Sequence, residues 1–320
     1  MMKAMNDDKD GISIHKKSIE LVVEEEFNKE RIDKYLSAML KDYTRSRLQK
    51  LIREDRVHVT DKPVKSNFRV STEQKVTLYL PEPIETRIVP EDIPIDIIYE
   101  DNDIIVINKG KDLVVHPAPG HISGTLVNAL LYRYKDSLST LNGVLRPGIV
   151  HRIDKDTTGI LVACKNNKAH LNIAKQLKVH TITRRYQAIV YNNLKEESGR
   201  VEATIGRDPK NRKRMAAGVV NGKYAATNYR LIENLSRKYA YVECELETGR
   251  THQIRVHMAS INHPILGDTI YGPGKDPFKL EGQALHAGVL GLIHPSTNEY
   301  VEFFAPLPSY FTDLLKRLRR

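Results

Sequence analysis

After residue 92 the apolar residues of this chain fall mainly in short runs that suit strands, with few stretches of helical spacing between them. Ile95 to Tyr99 and Ile104 to Ile107 are joined by Glu100 to Asp103, a hairpin signal. Further strands are predicted at Arg185 to Tyr191, Ala225 to Leu231, Tyr239 to Leu246 and Tyr300 to Phe304. Helices are predicted from a Thr125 cap through Tyr134 and from an Asn166 cap to near Lys178. Many strands, scattered helices and no regular βαβ rhythm imply an α+β fold, with a largely antiparallel mixed sheet and flanking helices. With 320 residues there is room for one such domain and a smaller one, each with its own core.

The smaller domain is expected at residues 28–80, after a polar leader over 1–27 whose order the sequence leaves open. Ile32, Leu36, Met39 and Leu40 share one helical face, and Thr44 can cap a second helix that buries Leu48, Leu51 and Ile52. Val57 and Val59 alternate as in a strand, Asp61 to Pro63 make a turn, and Val76, Leu78 and Leu80 alternate again. This is a small α+β module. Pro81, Pro83 and Pro90 mark 81–91 as an extended linker, and 92–320 forms the large domain.

The formal net charge of +10 points to a polyanion or an acidic surface as partner. The leader is too polar for a signal-peptide core, and no run approaches the ~20 apolar residues that span a bilayer. A membrane role is not expected, and a cytoplasmic location is. Cys164 and Cys244 are too few for a disulfide framework and are read as core thiols. The histidines show no metal spacing, and no glycine-rich phosphate cradle is present, so neither a metal nor a cofactor is expected.

The run HRIDKDTTGILV, His151 to Val162, sets an arginine, a carboxylate and a glycine turn ahead of an apolar strand. Asp154 then sits on a loop braced by packed elements. A solvated Asp capping a turn with Thr157 or Thr158 is the alternative reading. A second long stretch, LETGRTHQIRVHMASINHPILGDTIYG from Leu246 to Gly272, begins with a turn at Thr248 and Gly249. A helix follows, with Ile254, Met258 and Ile261 on one apolar face and Arg255 near its start.

Together these stretches resemble the two hallmark motifs of the RluA family of pseudouridine synthases, with Ile153 and Thr158 where that family commonly has Leu and Ser. RRYQAIV resembles the family's tyrosine segment, with Tyr186 at the equivalent position. EDNDIIVINKGKDLVVHP resembles its opening hairpin, with Gly110 where proline is usual. TRSRLQKLIREDRVHV resembles the S4-type RNA-binding domain, whose basic helix here carries Arg45, Arg47, Lys50 and Arg53. The chain looks closest to the RluD-like subgroup, which acts on large-subunit ribosomal RNA. The resemblance implies RNA as partner, 23S rRNA or an assembling large ribosomal subunit; no protein partner is inferred.

Isomerising uridine to pseudouridine breaks the C1′–N1 bond, turns the base and joins C1′ to C5. A carboxylate serves by attacking C1′ or C6 or by assisting deprotonation at C2′, and the sequence leaves the three routes open. Asp154 is the candidate catalytic residue. A carboxylate in an apolar pocket needs a cation to stay charged, and the resemblance pairs it with Arg255. It also implies that Tyr186 stacks on the target uracil with its hydroxyl near the C5 proton. Arg152 then fills the space left by a flipped base, and His151 shapes the loop. Arg152, His151, Arg45, Arg47 and Lys50 are thus the candidate RNA-binding residues. Phosphate contacts from the basic helix supply salt-dependent affinity with little sequence choice.

Two other classes use similar parts. A noncatalytic RNA-binding or ribosome-assembly factor has no chemical need for Asp154, Tyr186 and Arg255 together, and a base-removing glycosylase releases free uracil. The run RDPKNRKRMAAG between Arg207 and Gly218 carries five basic residues and reads either as a surface loop or as a phosphate clamp.

Overall fold

A computed structural model describes residues 13–15, 18–80, 88–118, 121–135, 137–143, 145–211, 214–274 and 276–320. The chain divides into two compact units between Glu85 and Thr86.

The first unit contains β1 (Ser13–His15), β2 (Ser18–Val22), α1 (Ile32–Met39), α2 (Arg45–Arg53), β3 (Val57–Val59), β4 (Lys62–Pro63) and β5 (Lys75–Tyr79). Its sheet runs β1-β2-β5-β3-β4. The two helices bury Ile32, Tyr35, Leu36, Leu48, Leu51 and Ile52 in a core with Ile19, Leu21, Val57, Val76 and Leu78. β2 comes from the segment the sequence reading assigned to a polar leader. Ile19 and Leu21 face the core while Ser18, Glu20 and Val22 do not, so a period-two pattern is present but is masked by its acidic neighbours. The Thr44 side chain accepts from the Arg47 N–H and starts α2.

The second unit contains β6 (Asp96–Glu100), β7 (Ile104–Lys109), α3 (Leu126–Tyr134), β8 (Thr158–Cys164), α4 (Asn167–Lys178), β9 (Thr183–Tyr191) and β10 (Ser198–Arg207). β11 (Met215–Ala217), β12 (Lys223–Leu235), β13 (Tyr239–Leu246), α5 (Gln253–Ser260), β14 (Leu285–Ile293), β15 (Tyr300–Phe304) and α6 (Ser309–Leu318) complete it. The strands form one sheet in the order β11-β10-β12-β13-β9-β14-β8-β7-β6, with β15 added to β14. Every pairing is antiparallel except β14 with β8.

Thr125 and Asn128 form a reciprocal cap on α3, and Asn166 caps α4 through the Ala169 N–H. Residues 81–87 of the expected linker lie outside the described residues. The part that follows is tied to the large unit, where the Glu91 N–H donates to the Asn128 carbonyl and the Asn128 side chain donates to the Val89 carbonyl. Part of the RDPKNRKRMAAG run also departs from a loop, since Met215 to Ala217 pair with β10 as β11.

Cys164 and Cys244 are fully buried, and burial pushes both thiols up to about 12, so they behave as small apolar groups. Gly159 is not the tight turn its position suggested. It lies inside β8 at φ +107, and a Cβ there would sit 2.1 Å from the Ala287 carbonyl oxygen of β14. Glycine thus permits the parallel contact that brings the Asp154 loop against the centre of the sheet.

Candidate active site

A cavity of about 450 Å³ opens in the second unit between the loop before β8, the start of β9 and the turn into α5. Asp154, Tyr186 and Arg255 all line it. The Asp154 loop is fixed by its backbone: the Thr157 N–H returns to the Asp154 carbonyl at 3.1 Å, and Gln283 donates to the Thr157 hydroxyl at 2.9 Å. Lys109, 1% exposed, donates to the Lys155 carbonyl at 2.8 Å and to the Gly110 carbonyl at 2.6 Å. Burial lowers the Lys109 ammonium to about 7, against the opposing pull of Asp156 and Asp154.

The turn into α5 is equally determined. Gln253 accepts from the Thr248 hydroxyl and the Arg250 N–H while donating to the Ala226 carbonyl and the Thr227 hydroxyl, which pins the turn to β12. His252 caps the helix in the left-handed region at φ +56. Unlike an ordinary amphipathic helix, α5 buries Gln253, Arg255 and His257 as well as Ile254 and Met258.

Arg255 spans two carboxylates. Its Nε and Nη2 donate to Asp268 at 2.6 and 2.9 Å, and its Nη1 donates to Asp154 Oδ2 at 2.9 Å. Asp268 is fully enclosed and its Oδ1 also accepts from the Ile270 and Tyr271 N–H groups. Burial raises the Asp268 carboxyl, but the Arg255 hydrogen bonds and charge outweigh it and hold the group below the usual range. Asp268 both holds its own turn and anchors the arginine. The Tyr271 ring lies 5.1 Å from the guanidinium carbon.

Asp154 Oδ1 faces His252 Nε2 across 3.9 Å. His252 Nδ1 meets the Tyr271 hydroxyl at 2.8 Å, and that hydroxyl accepts from the Met215 N–H of β11, also at 2.8 Å. Because the Tyr271 hydroxyl already accepts from Met215, its own proton is directed to Nδ1, which puts the ring proton on Nε2, facing Asp154 beyond hydrogen-bonding distance. Burial lowers His252 against the opposing pull of Asp154, which favours the neutral ring.

Tyr186 is buried between Cys244 and Ala287 in the sheet register, and burial pushes its hydroxyl up to about 12. The other predicted residues divide. Arg152 is exposed on the cavity wall. His151 also lines the cavity, but its Nε2 accepts the Val162 N–H at 3.0 Å and is not free for a ligand; burial lowers it to about 3.

Arg45, Arg47 and Lys50 lie on α2 of the first unit. Arg45 is tethered at 2.9 Å to Asp33, which is fully enclosed and also takes Arg31 and Gln49. Arg47 stacks 5.0 Å over Tyr43, and Lys50 lies 3.7 Å from Glu54.

Sequence reading missed Lys109, Arg184, Gln253, His252 and Tyr271 as parts of this site. All lie within the stretches that carried the family resemblance, but nothing in their spacing says what they touch.

Residues 103–260 match the family described as RNA pseudouridylate synthase, and residues 30–76 match the S4 domain. An uncharacterized RNA pseudouridine synthase of Bacillus subtilis (strain 168) is 47% identical over 302 residues, covering 94% of this chain and 98% of the relative. Ribosomal large subunit pseudouridine synthase D of Neisseria meningitidis serogroup B is 41% identical over 309 residues, covering 90% of this chain and 79% of its own. Among solved structures, Human RNA Pseudouridylate Synthase Domain Containing 1 superimposes with a TM-score of 0.56 at 26% identity, over 75% of this chain and 98% of that one. Fold and similarity thus define an isomerase acting on uridine in RNA. The chain belongs to the RNA pseudouridine synthase family, with an S4 domain in the same polypeptide.

Proposed function

We propose that this protein isomerises uridines of 23S rRNA, free or in an assembling large ribosomal subunit, in the cytoplasm and at the cavity that contains Asp154. The observation that carries the reading is the Asp154–Arg255 contact of 2.9 Å beside Tyr186 in a cavity of about 450 Å³. The choice of large-subunit RNA is supported by relatives named ribosomal large subunit pseudouridine synthase D.

Arg255 occupies Oδ2 of Asp154, so Oδ1 is the oxygen that meets the ribose or the base. The target uridine leaves its stack, at a cost of a few kcal/mol that is smaller in a loop. Arg152, exposed at the cavity wall, fills the vacated space, and His151 holds the loop in shape through Val162. Tyr186 provides an apolar ring against which the detached uracil turns while C1′ passes from N1 to C5. As a neutral phenol its hydroxyl can donate a hydrogen bond, and stacking is its principal role. The S4 unit adds backbone contacts from Arg47 and Lys50.

The test is tritium release from C5-labelled uridine in large-subunit ribosomal RNA, with wild-type protein beside Asp154→Ala. The expected result is release by the wild type only, with the base retained in the chain. Release by both proteins removes Asp154 from the chemistry. Free uracil in the supernatant means a glycosylase, and no release from RNA or ribosomal particles favours an assembly factor.

A further inference from the structure

Arg184 differs from the enclosed carboxylates and from the other enclosed arginine of this protein. Asp33, Asp268 and Arg255 are each enclosed with opposite charges at hydrogen-bonding distance. Arg184 is only 7% exposed, yet no carboxylate pairs with it among the described residues. Its Nε is buried without a partner, and its Nη2 reaches the Leu246 and Glu247 carbonyls only at 3.4 Å. Burial draws its pKa down. An enclosed cation without a counter-charge opposes folding.

The fold nevertheless makes room for it. A Cβ on Gly249 would lie 2.7 Å from Arg184 Nη1, so the glycine at the turn into α5 leaves the space the guanidinium occupies. Gly249 and Arg184 both line the Asp154 cavity. Arg184 precedes Tyr186 by two residues on β9 and therefore projects from the same face of the sheet. Lys178 and Arg250 extend the positive lining of the cavity, whereas Asp154 is its one carboxylate among the lining residues.

We infer that Arg184 receives a phosphate oxygen of the RNA backbone at the target nucleotide, so that its missing counter-charge arrives with the substrate. A permanent, desolvated positive charge calls for a permanent negative one, and the phosphates are the formal negative charges that RNA carries. A carbonyl oxygen of the uracil offers only a dipole in the ground state. This inference rests on the reading of the Asp154 cavity as the site that takes the target nucleotide.

The test compares full-length wild type, Arg184→Met and Arg184→Lys on a large-subunit ribosomal RNA transcript. The measurements are kcat and KM by tritium release over a range of salt, and thermal unfolding without RNA. Arg184→Met removes an unpaired buried charge and keeps apolar volume, so its unfolding temperature is expected to rise. Its KM is expected to rise roughly ten- to hundredfold with a smaller change in kcat. The slope of log kcat/KM against log salt should fall in magnitude by about 0.7, the value for one single-strand phosphate contact. Arg184→Lys should keep part of that slope.

A lower unfolding temperature for Arg184→Met makes the residue a structural support and overturns the inference. Loss of kcat alone, with KM and slope unchanged, places the guanidinium on the base and overturns it as well. Competition binding with Asp154→Ala and the double variant Asp154→Ala/Arg184→Met reads the same contact without turnover. Failure of the Asp154 assignment is therefore distinguishable from failure of this one.

Discussion

Arg255 performs two tasks with one planar group, and each gives a separate prediction. Lysine carries a single nitrogen and cannot span Asp268 and Asp154, so Arg255→Lys leaves the charge but loses the geometry. The expected result is a kcat lower by about a hundredfold or more, as for other displacements near 1 Å at a reacting group; near-normal turnover would refute the positioning role. Arg255→Ala abandons the buried Asp268 and should cost about 3–5 kcal/mol in urea unfolding. Tyr271→Phe removes the acceptor of the Met215 N–H and the partner of His252 Nδ1. A loss of about 1–3 kcal/mol is expected, and an unchanged urea midpoint would mean that water replaces both contacts. Asp154, Tyr186 and Arg255 were recognisable from motifs in the chain. Asp268 was not, because a carboxylate after glycine in a polar turn reads as a cap, and its sequence does not reveal the arginine lying across it.

At the scale of elements, β8 and β14 meet where Gly159 faces the Ala287 carbonyl. Gly159→Ala adds a methyl group to that contact at a backbone angle that side chains rarely adopt, and several kcal/mol of destabilisation are expected. A wild-type denaturation midpoint would show that the strands separate easily, contrary to this packing. On α2 the basic residues do not act alike. Replacing Arg47 and Lys50 together should weaken RNA binding and flatten its salt dependence while leaving the unfolding temperature near wild type, since both side chains project outward. Arg45→Ala should lower the stability of the first unit instead, because Asp33 loses a partner; equal thermal behaviour of the two variants would contradict this division. The helix itself was legible from Thr44 and from Leu48, Leu51 and Ile52. β14 was not predicted, since LHAGVLGLI is buried on both faces and is interrupted by glycines, so it shows neither alternation nor a helical stripe.

At the scale of the whole molecule, the second unit encloses several neutral histidines. Burial lowers His116 and His257 to about 4 and His151 to about 3. In the unfolded chain these rings take up protons near pH 6.5. As pH falls below that value the unfolded state binds protons first, so stability present at pH 7 is lost progressively down to about pH 3–4, where the folded state protonates too. The unfolding temperature is expected to fall between pH 6.5 and 5, before the carboxylates titrate. A flat profile there would mean that the three rings are accessible to protons in the native state.

The sequence by itself determined where most strands and helices lie, because these follow from local periodicity and capping, and its resemblance to a known family marked the loop that carries Asp154 and the segments that accompany it. Only the tertiary structure decided that Asp268 anchors the other side of Arg255, that Lys109 holds the loop from 46 positions away, and that Arg184 is enclosed with no carboxylate beside it among the described residues. Such contacts depend on the order of strands in the sheet and on how far each group is removed from water, and those quantities exist only once distant segments have packed together.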